Sequence, residues 1–71
     1  KAYVLLHNTS TVSTEIITIG ENADTNAALD YTNITLGAGE FAFYPWNSTV
    51  DLVADAASGS PVLEVMVFEA V

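Results

Sequence analysis

Apolar and polar residues alternate with a period of two along most of the chain, which is typical of β-strands whose two faces meet different surroundings. No stretch repeats apolar residues at the three- to four-residue spacing of an amphipathic helix. The alternation predicts six strands, over residues 3–7, 12–19, 31–36, 40–44, 49–55 and 62–70. Short strands at roughly ten-residue spacing, separated by turn-forming residues, are typical of β-sandwiches and small barrels.

We therefore predict one all-β domain over residues 1–71, a small antiparallel β-sandwich, immunoglobulin-like or jelly-roll-like, of about six strands. Single residue types set three of the expected boundaries. Gly20 is expected to close the second strand, and Gly37-Ala38-Gly39 to form a tight connection compatible with a hairpin. Pro45 is expected to end the fourth strand, because proline has no N–H to donate to a ladder.

The last predicted strand is apolar on both faces, unlike a strand of a half-solvated sheet. Its two faces carry, respectively, Leu63, Val65 and Val67, and Val62, Glu64, Met66 and Phe68. Such a strand either lies in the centre of a covered sheet or faces a partner subunit.

The composition changes the expected function more than the fold. Of the 71 residues, 51% are apolar and 14% are charged, with one basic residue against nine carboxylates and a net charge of −8. An acidic chain of this kind has no basic surface for nucleic acid or for anionic lipid, so we expect neither partner. No run approaches the ~20 apolar residues of a membrane-spanning helix, and the short apolar stretch after Lys1 does not have the form of a signal peptide.

The chain also lacks the usual means of stabilising a small domain. It has no cysteine, which excludes disulfides and thiolate zinc sites. Below roughly 70–80 residues a single core supplies about 3–5 kcal/mol, and such domains gain stability from cross-links, metals or oligomerisation. We therefore expect a homo-oligomer, with a trimer favoured, or a subunit docked on a larger assembly.

Candidate catalytic groups are sparse. His7 is the single histidine, so any Ser-His-Asp arrangement must include it, and a structural or surface role is favoured for it. The carboxylates are Glu15, Glu21, Asp24, Asp30, Glu40, Asp51, Asp55, Glu64 and Glu69. We interpret them as a solvated acidic exterior rather than as the paired carboxylates of a glycosidase. The chain is therefore predicted to be non-enzymatic, with no catalytic residues and no cofactor.

Two further motifs suggest modification or ion binding. The oxygen-rich run from Glu21 to Asp30 lacks the glycine and the bidentate glutamate of an EF-hand, so we predict no metal site and favour an ordinary polar turn. Asn8, Asn33 and Asn47 each begin an Asn-x-Ser/Thr glycosylation pattern. The absence of cysteine argues against a secretory route, so glycosylation is the less favoured interpretation.

Tyr44-Pro45-Trp46 is the most distinctive local feature. Tyrosine and tryptophan beside a proline at a strand end can form a rigid anchor at a protein interface. A carbohydrate-stacking tryptophan and a core tryptophan at the end of the sandwich are the alternatives. Together with the final strand, this motif gives a predicted interface of Tyr44, Pro45, Trp46, Met66 and Phe68.

The second half of the chain resembles known β-sandwich proteins. The stretch from Ile34 to Phe41 is similar to the Gly-Glu strand turn of immunoglobulin-like sandwiches. The region from Leu36 to Glu69 follows the strand order of those sandwiches. The whole second half of the chain also resembles small tailed-bacteriophage virion proteins, and the resemblance covers about half the chain. The matching parts are Gly39-Glu40, Pro45-Trp46, Val50-Asp51-Leu52 and Gly59-Ser60-Pro61-Val62-Leu63-Glu64.

That resemblance implies a virion structural protein, either a capsid decoration (cement) protein or a knob or fibre subunit, located on the capsid surface. Its partners would be the major capsid protein or other virion proteins. The alternative is a carbohydrate- or ligand-binding β-sandwich module of an extracellular surface protein, with Tyr44 and Trp46 as a stacking platform.

Overall fold

The computed structural model describes residues 2–22, 31–47 and 49–69, and within these ranges the chain forms strands and no helix. The strands are β1 (Ala2–Asn8), β2 (Ile17–Asn22), β3 (Tyr31–Leu36), β4 (Phe41–Trp46), β5 (Asp51–Ala56) and β6 (Leu63–Glu69). They form two three-stranded sheets, ordered β4-β1-β6 and β3-β2-β5, and every pairing is antiparallel. The predicted all-β sandwich is therefore confirmed.

Most connections carry the chain from one sheet to the other. Among the described strands, β2 and β3 are the one consecutive pair that shares a sheet. The β4-β1-β6 sheet is thus assembled from the first strand, the last strand and one from the middle of the sequence. Because β1 pairs with both β4 and β6, it is the central strand of that sheet, and β6 lies at an edge.

The core lies between the two sheets and follows directly from the alternation. In β1 every second residue is buried, which places Val4 and Leu6 on the inner face. They pack with Ile17, Ile19 and Leu36 of the other sheet. Partly buried apolar side chains extend this cluster: Ile34, Ala42, Tyr44, Trp46, Leu52 and Leu63.

The second strand differs from its prediction at both ends. It begins at Ile17 rather than Val12, because residues before it form a loop in which the Ser10 hydroxyl donates to the Glu15 carboxylate over 2.5 Å. Gly20 does not close it, and the strand continues to Asn22. The pairing with β3 shifts register between Ile19 and Gly20, which is the sign of a β-bulge, and a bulge tolerates glycine.

The expected end of the fourth strand at Pro45 is also wrong. Pro45 lies inside β4 and pairs with Tyr3. Because β4 is at the sheet edge, a residue whose N–H would face solvent can be proline at little cost. The connection before β4 is tight, as expected, with Gly39 at a φ of 77°, but it joins the two sheets and is not a hairpin.

A buried asparagine connects the two sheets where β1 ends. The side chain of Asn8 is fully buried, and its amide donates to the carbonyls of Glu15 (2.8 Å) and Leu36 (3.1 Å). Its Oδ1 accepts the N–H of Ser10 at 3.0 Å. With the amide hydrogens bonded and enclosed, Asn8 is not accessible to glycosylation in the folded chain.

The other two acceptor asparagines lie in different surroundings. Asn47 is exposed, and its Oδ1 accepts from both the N–H and the hydroxyl of Thr49. Asn33 belongs to β3, and its side chain lies outside the described residues.

Candidate interaction surface

The outer face of the β4-β1-β6 sheet is apolar over almost its whole area. Because the even-numbered residues of β1 are buried, its odd-numbered residues and their partners on either side point away from the core. We call this surface the aromatic face, and its residues are Tyr3, Leu5, His7, Phe41, Phe43, Pro45, Glu64, Met66 and Phe68. Of these nine, seven are apolar or aromatic, and His7 and Glu64 lie at one end.

The large side chains of the aromatic face are strongly exposed. Phe41 is 63% exposed, Phe43 58%, Met66 55% and Phe68 43%. Three strands spaced about 4.8 Å apart and six residues long cover roughly 300 Å². A contiguous apolar patch of that size is at the scale of functional patches on monomeric proteins, which typically measure about 300–600 Å².

The aromatic rings on this face are ordered by contact with one another. Tyr3 stacks on Phe43, with ring centroids 5.6 Å apart and an interplanar angle of 7°. Phe43 in turn meets the edge of Phe68 at 5.8 Å and 72°. Such contacts hold side chains in fixed positions, which lowers the entropy lost when a partner covers them. The face is thus apolar, exposed and preorganised.

One end of the aromatic face carries its charged group. The His7 ring stacks on Phe41, with centroids 3.8 Å apart, and its Nδ1 lies 3.0 Å from Glu64 Oε1. A shallow depression of about 320 Å³ adjoins this pair, bordered by Leu5 and Met66 among others. This end of the aromatic face therefore combines an imidazole, a carboxylate and an adjoining depression with mainly apolar walls.

Tyr44 lies on the inner face of β4, whereas its neighbour Phe43 lies on the outer face. Its hydroxyl is buried and has no hydrogen-bond partner within the described part of the chain. Burial raises the pKa of Tyr44, and the negative charge of Glu21 raises it further. Both causes disfavour the phenolate, so this hydroxyl is held in its neutral form.

Trp46 also faces inward, where it borders an open groove between the sheets. Its Nε1 donates to the carbonyl of Val50 at 3.1 Å, which fixes the indole. The groove measures about 610 Å³ and runs between β5 and β6. It is lined by Leu6, Ile19, Trp46, Asp51, Leu52, Val53, Ala54, Leu63, Val65 and Val67. Solvent therefore reaches the core more easily between β5 and β6 than around Leu36, which is buried.

The structure divides the five predicted interface residues between two surfaces. Pro45, Met66 and Phe68 lie on the aromatic face, whereas Tyr44 and Trp46 pack against the core. Their role at an interface stays a prediction. The sequence interpretation left out Tyr3, Leu5, Phe41 and Phe43, although each belongs to a period-two series of apolar residues. Finding them required knowing that β1, β4 and β6 are neighbours.

Neither a cluster of metal ligands nor a membrane-spanning helix is present among the described residues. In the described ranges no three His, Asp or Glu side chains come close enough together to hold a metal ion. Asp24 and Asp30 of the oxygen-rich run lie outside those ranges. The described part of the chain contains no helix with the length and hydropathy needed to cross a bilayer.

Comparison with known proteins identifies no relative. A scan against protein-family models, a search of curated proteins and a search of solved structures each returned no match.

Proposed function

We propose that the chain is a non-enzymatic structural subunit that docks on a larger assembly through the aromatic face. The supporting observation is the exposure of Phe41, Phe43 and Met66 together on one sheet face of a domain with 71 residues. Burying apolar area contributes roughly 25 cal/mol per Å² of favourable free energy. A partner that covered the aromatic face would therefore be bound favourably, and exposed apolar patches of this size commonly mark interaction sites.

The proposed assembly is a virion, and the proposed role is that of a capsid decoration protein or of a knob or fibre subunit. This part of the proposal rests on the sequence resemblance to small tailed-bacteriophage virion proteins. The partners are then the major capsid protein or other virion proteins, with homo-oligomers expected, and the location is the capsid surface. The net charge of −8 fits a protein whose outer surface stays in solvent.

The carbohydrate-binding alternative has less support. It requires Tyr44 and Trp46 as an exposed stacking platform, but the Tyr44 hydroxyl is buried and the Trp46 indole is bonded to Val50. The groove beside Trp46 is lined mainly by apolar side chains, whereas sugars need several polar partners.

The experiment that tests this proposal is particle association. Virions from the source that encodes the chain are purified on a density gradient, and the chain is quantified on them by mass spectrometry. We expect a fixed copy number per particle for the unmodified chain. Phe43→Thr should lower its occupancy at least about 10-fold, the loss expected for a central interface aromatic.

Thr35→Ser is the matched control, because Thr35 is exposed on the other sheet. Its occupancy should equal that of the unmodified chain, and circular dichroism should show both variants folded. Absence of the unmodified chain from particles would contradict the virion role. Full occupancy of the Phe43→Thr chain would contradict docking through the aromatic face.

A further inference from the structure

The groove between β5 and β6 is a second apolar surface, separate from the aromatic face. Of the ten described residues that line it, nine are apolar, and Asp51 is the charged one. Its volume of about 610 Å³ is typical of small-molecule sites, which are mostly apolar and contain few polar groups. Val65 and Val67 are 54% and 50% exposed, although both lie on the inner side of the sheet. The core therefore leaves apolar area of β6 uncovered along this groove.

The groove is elongated along the strands. Trp46 and Leu63 mark its two ends, because they pair with Ala2 and Asn8 at opposite ends of β1. Six residue steps along a strand span about 20 Å. At the Leu63 end a further depression of about 130 Å³ continues the groove and shares Leu63 and Ala54 with it. A long apolar groove fits a linear hydrocarbon chain better than a compact ring system.

The charge of the groove lies at one end. Asp51 follows Val50, whose carbonyl accepts the indole N–H of Trp46 at 3.1 Å, so Asp51 lies at the Trp46 end. The described walls include no basic side chain. The net charge of −8 adds a general repulsion of anions. A hydrocarbon chain with an anionic head group, such as a fatty acid, is therefore disfavoured in this groove, whereas a cationic head group is attracted to it.

We propose that the groove binds a single-chain amphiphile with an ammonium head group, the chain lying between Trp46 and Leu63 and the ammonium beside Asp51. Burial of the chain against apolar walls such as Leu52 and Val65 supplies most of the affinity, because the gain is proportional to the apolar area removed from water. The exposed Asp51 supplies orientation and selection by charge, since exposed ion pairs add little affinity. This site does not depend on docking of the aromatic face on an assembly.

Tryptophan fluorescence tests the proposal, because Trp46 is the only tryptophan of the chain and lines the groove. The full chain is titrated at neutral pH with monomeric decylammonium, decanol and decanoate, which share an alkyl chain and differ in head-group charge. Apolar atoms replacing water around the indole should shift its emission to shorter wavelength. We expect a Kd for decylammonium at least about 3-fold lower than for decanol and about 10-fold lower than for decanoate.

Substitutions inside the groove separate its apolar and charged parts. Ala54→Phe places a ring in the groove, beside Ile19, and should weaken decylammonium binding at least about 10-fold. Asp51→Asn should abolish the preference over decanol, and Asp51→Lys should reverse the order so that decanoate binds most tightly. Glu64→Gln is the matched control, because it removes the same charge from the aromatic face on the other side of the sheet. In that chain the preference for decylammonium should persist.

The outcomes distinguish this site from the aromatic face. Phe43→Thr removes a ring from the aromatic face and should leave the Kd of decylammonium unchanged, with circular dichroism showing each variant folded. An unchanged Kd in the Ala54→Phe chain, or a weakened one in the Phe43→Thr chain, would place the probe outside the groove and overturn the proposal. Equal effects of Asp51→Asn and Glu64→Gln, or equal affinity for the three probes, would overturn the ammonium assignment.

Discussion

The central rows of the two sheets show how differently their outer faces are built. Across the β4-β1-β6 sheet the outward row is Phe43, Leu5 and Met66, whereas across the β3-β2-β5 sheet it is Thr35, Thr18 and Asp55. The second row is polar, and the Thr18 hydroxyl donates to the carbonyl of Asp55 at 3.2 Å. Both sheets direct apolar residues toward the core, so the two sheets differ only in the polarity of their outer faces. An apolar outer face suits contact with a partner, whereas a polar one suits contact with solvent.

This difference separates folding from association. The β3-β2-β5 sheet has the apolar-inside, polar-outside pattern of a sheet that ends at solvent. The β4-β1-β6 sheet is apolar on both sides, and its inner side already supplies the core residues Val4 and Leu6. Its outer apolar residues are therefore in excess of what the core of the single chain uses. The predictions below test whether the inner faces carry the stability and the outer face does not.

The largest expected effect comes from two adjacent leucines in β1. Leu6→Ala leaves a cavity in the buried core and should lower the free energy of unfolding by about 2–5 kcal/mol. Leu5→Ala removes the same atoms from the outer face and should cost about 1 kcal/mol, because Leu5 is only partly buried. Urea denaturation followed by circular dichroism measures both, and equal losses would contradict the division between faces.

The next effect concerns the polar contact between the sheets. Asn8→Ala removes the donor to the carbonyls of Glu15 and Leu36, and should cost about 1–3 kcal/mol because these acceptors lose their partner in a part-buried or buried setting. Asn47→Ala is the control, since its bonds to Thr49 are exposed, and it should cost less than about 0.5 kcal/mol. A change at Asn8 no larger than at Asn47 would show that this contact does not stabilise the sandwich.

The smallest effect concerns pH and the inner side of β4. Because the pKa of Tyr44 lies above its ordinary value of 10.0 in the folded chain, the unfolded chain loses its proton first as the pH rises. The free energy of unfolding should therefore be unaffected by Tyr44 below pH 10 and should fall as the pH rises above it.

Tyr44→Phe should reduce this alkaline loss. At neutral pH it should leave stability unchanged or raise it by up to about 1 kcal/mol, because it removes a buried hydroxyl without a described partner. Thermal unfolding at several pH values between 7 and 11 measures both effects. An unchanged alkaline slope in the Tyr44→Phe chain would contradict the assignment.

Alternation predicted the strands well and their boundaries less well. It placed Phe41 and Phe43 on one face of a strand and Ala42 and Tyr44 on the other, as the structure does. It could not say which face was inside, because both carry aromatic residues. Pro45 was expected to break the strand, and only its position on an edge explains why it does not.

The candidate surface could be predicted only in part for the same reason. Met66 and Phe68 stood out because their strand is apolar on both sides, whereas nothing local marks Tyr3 and Leu5 as outward-facing residues, since the central position of β1 follows only from its pairings. The aromatic face exists because β1, β4 and β6 pair side by side, and their separation in sequence leaves no local signal of that pairing.

By itself the sequence determined that the chain is all-β, acidic and without disulfides, because period-two alternation, charge and cysteine content are local or additive properties. It also determined that apolar residues exceed what a polar-faced sandwich needs. Only the tertiary structure decided where the excess lies, through the pairing of β1 with both β4 and β6. Pairing between distant strands depends on the packing of the whole core, and it placed the excess on one outer sheet face and in the edge strand β6.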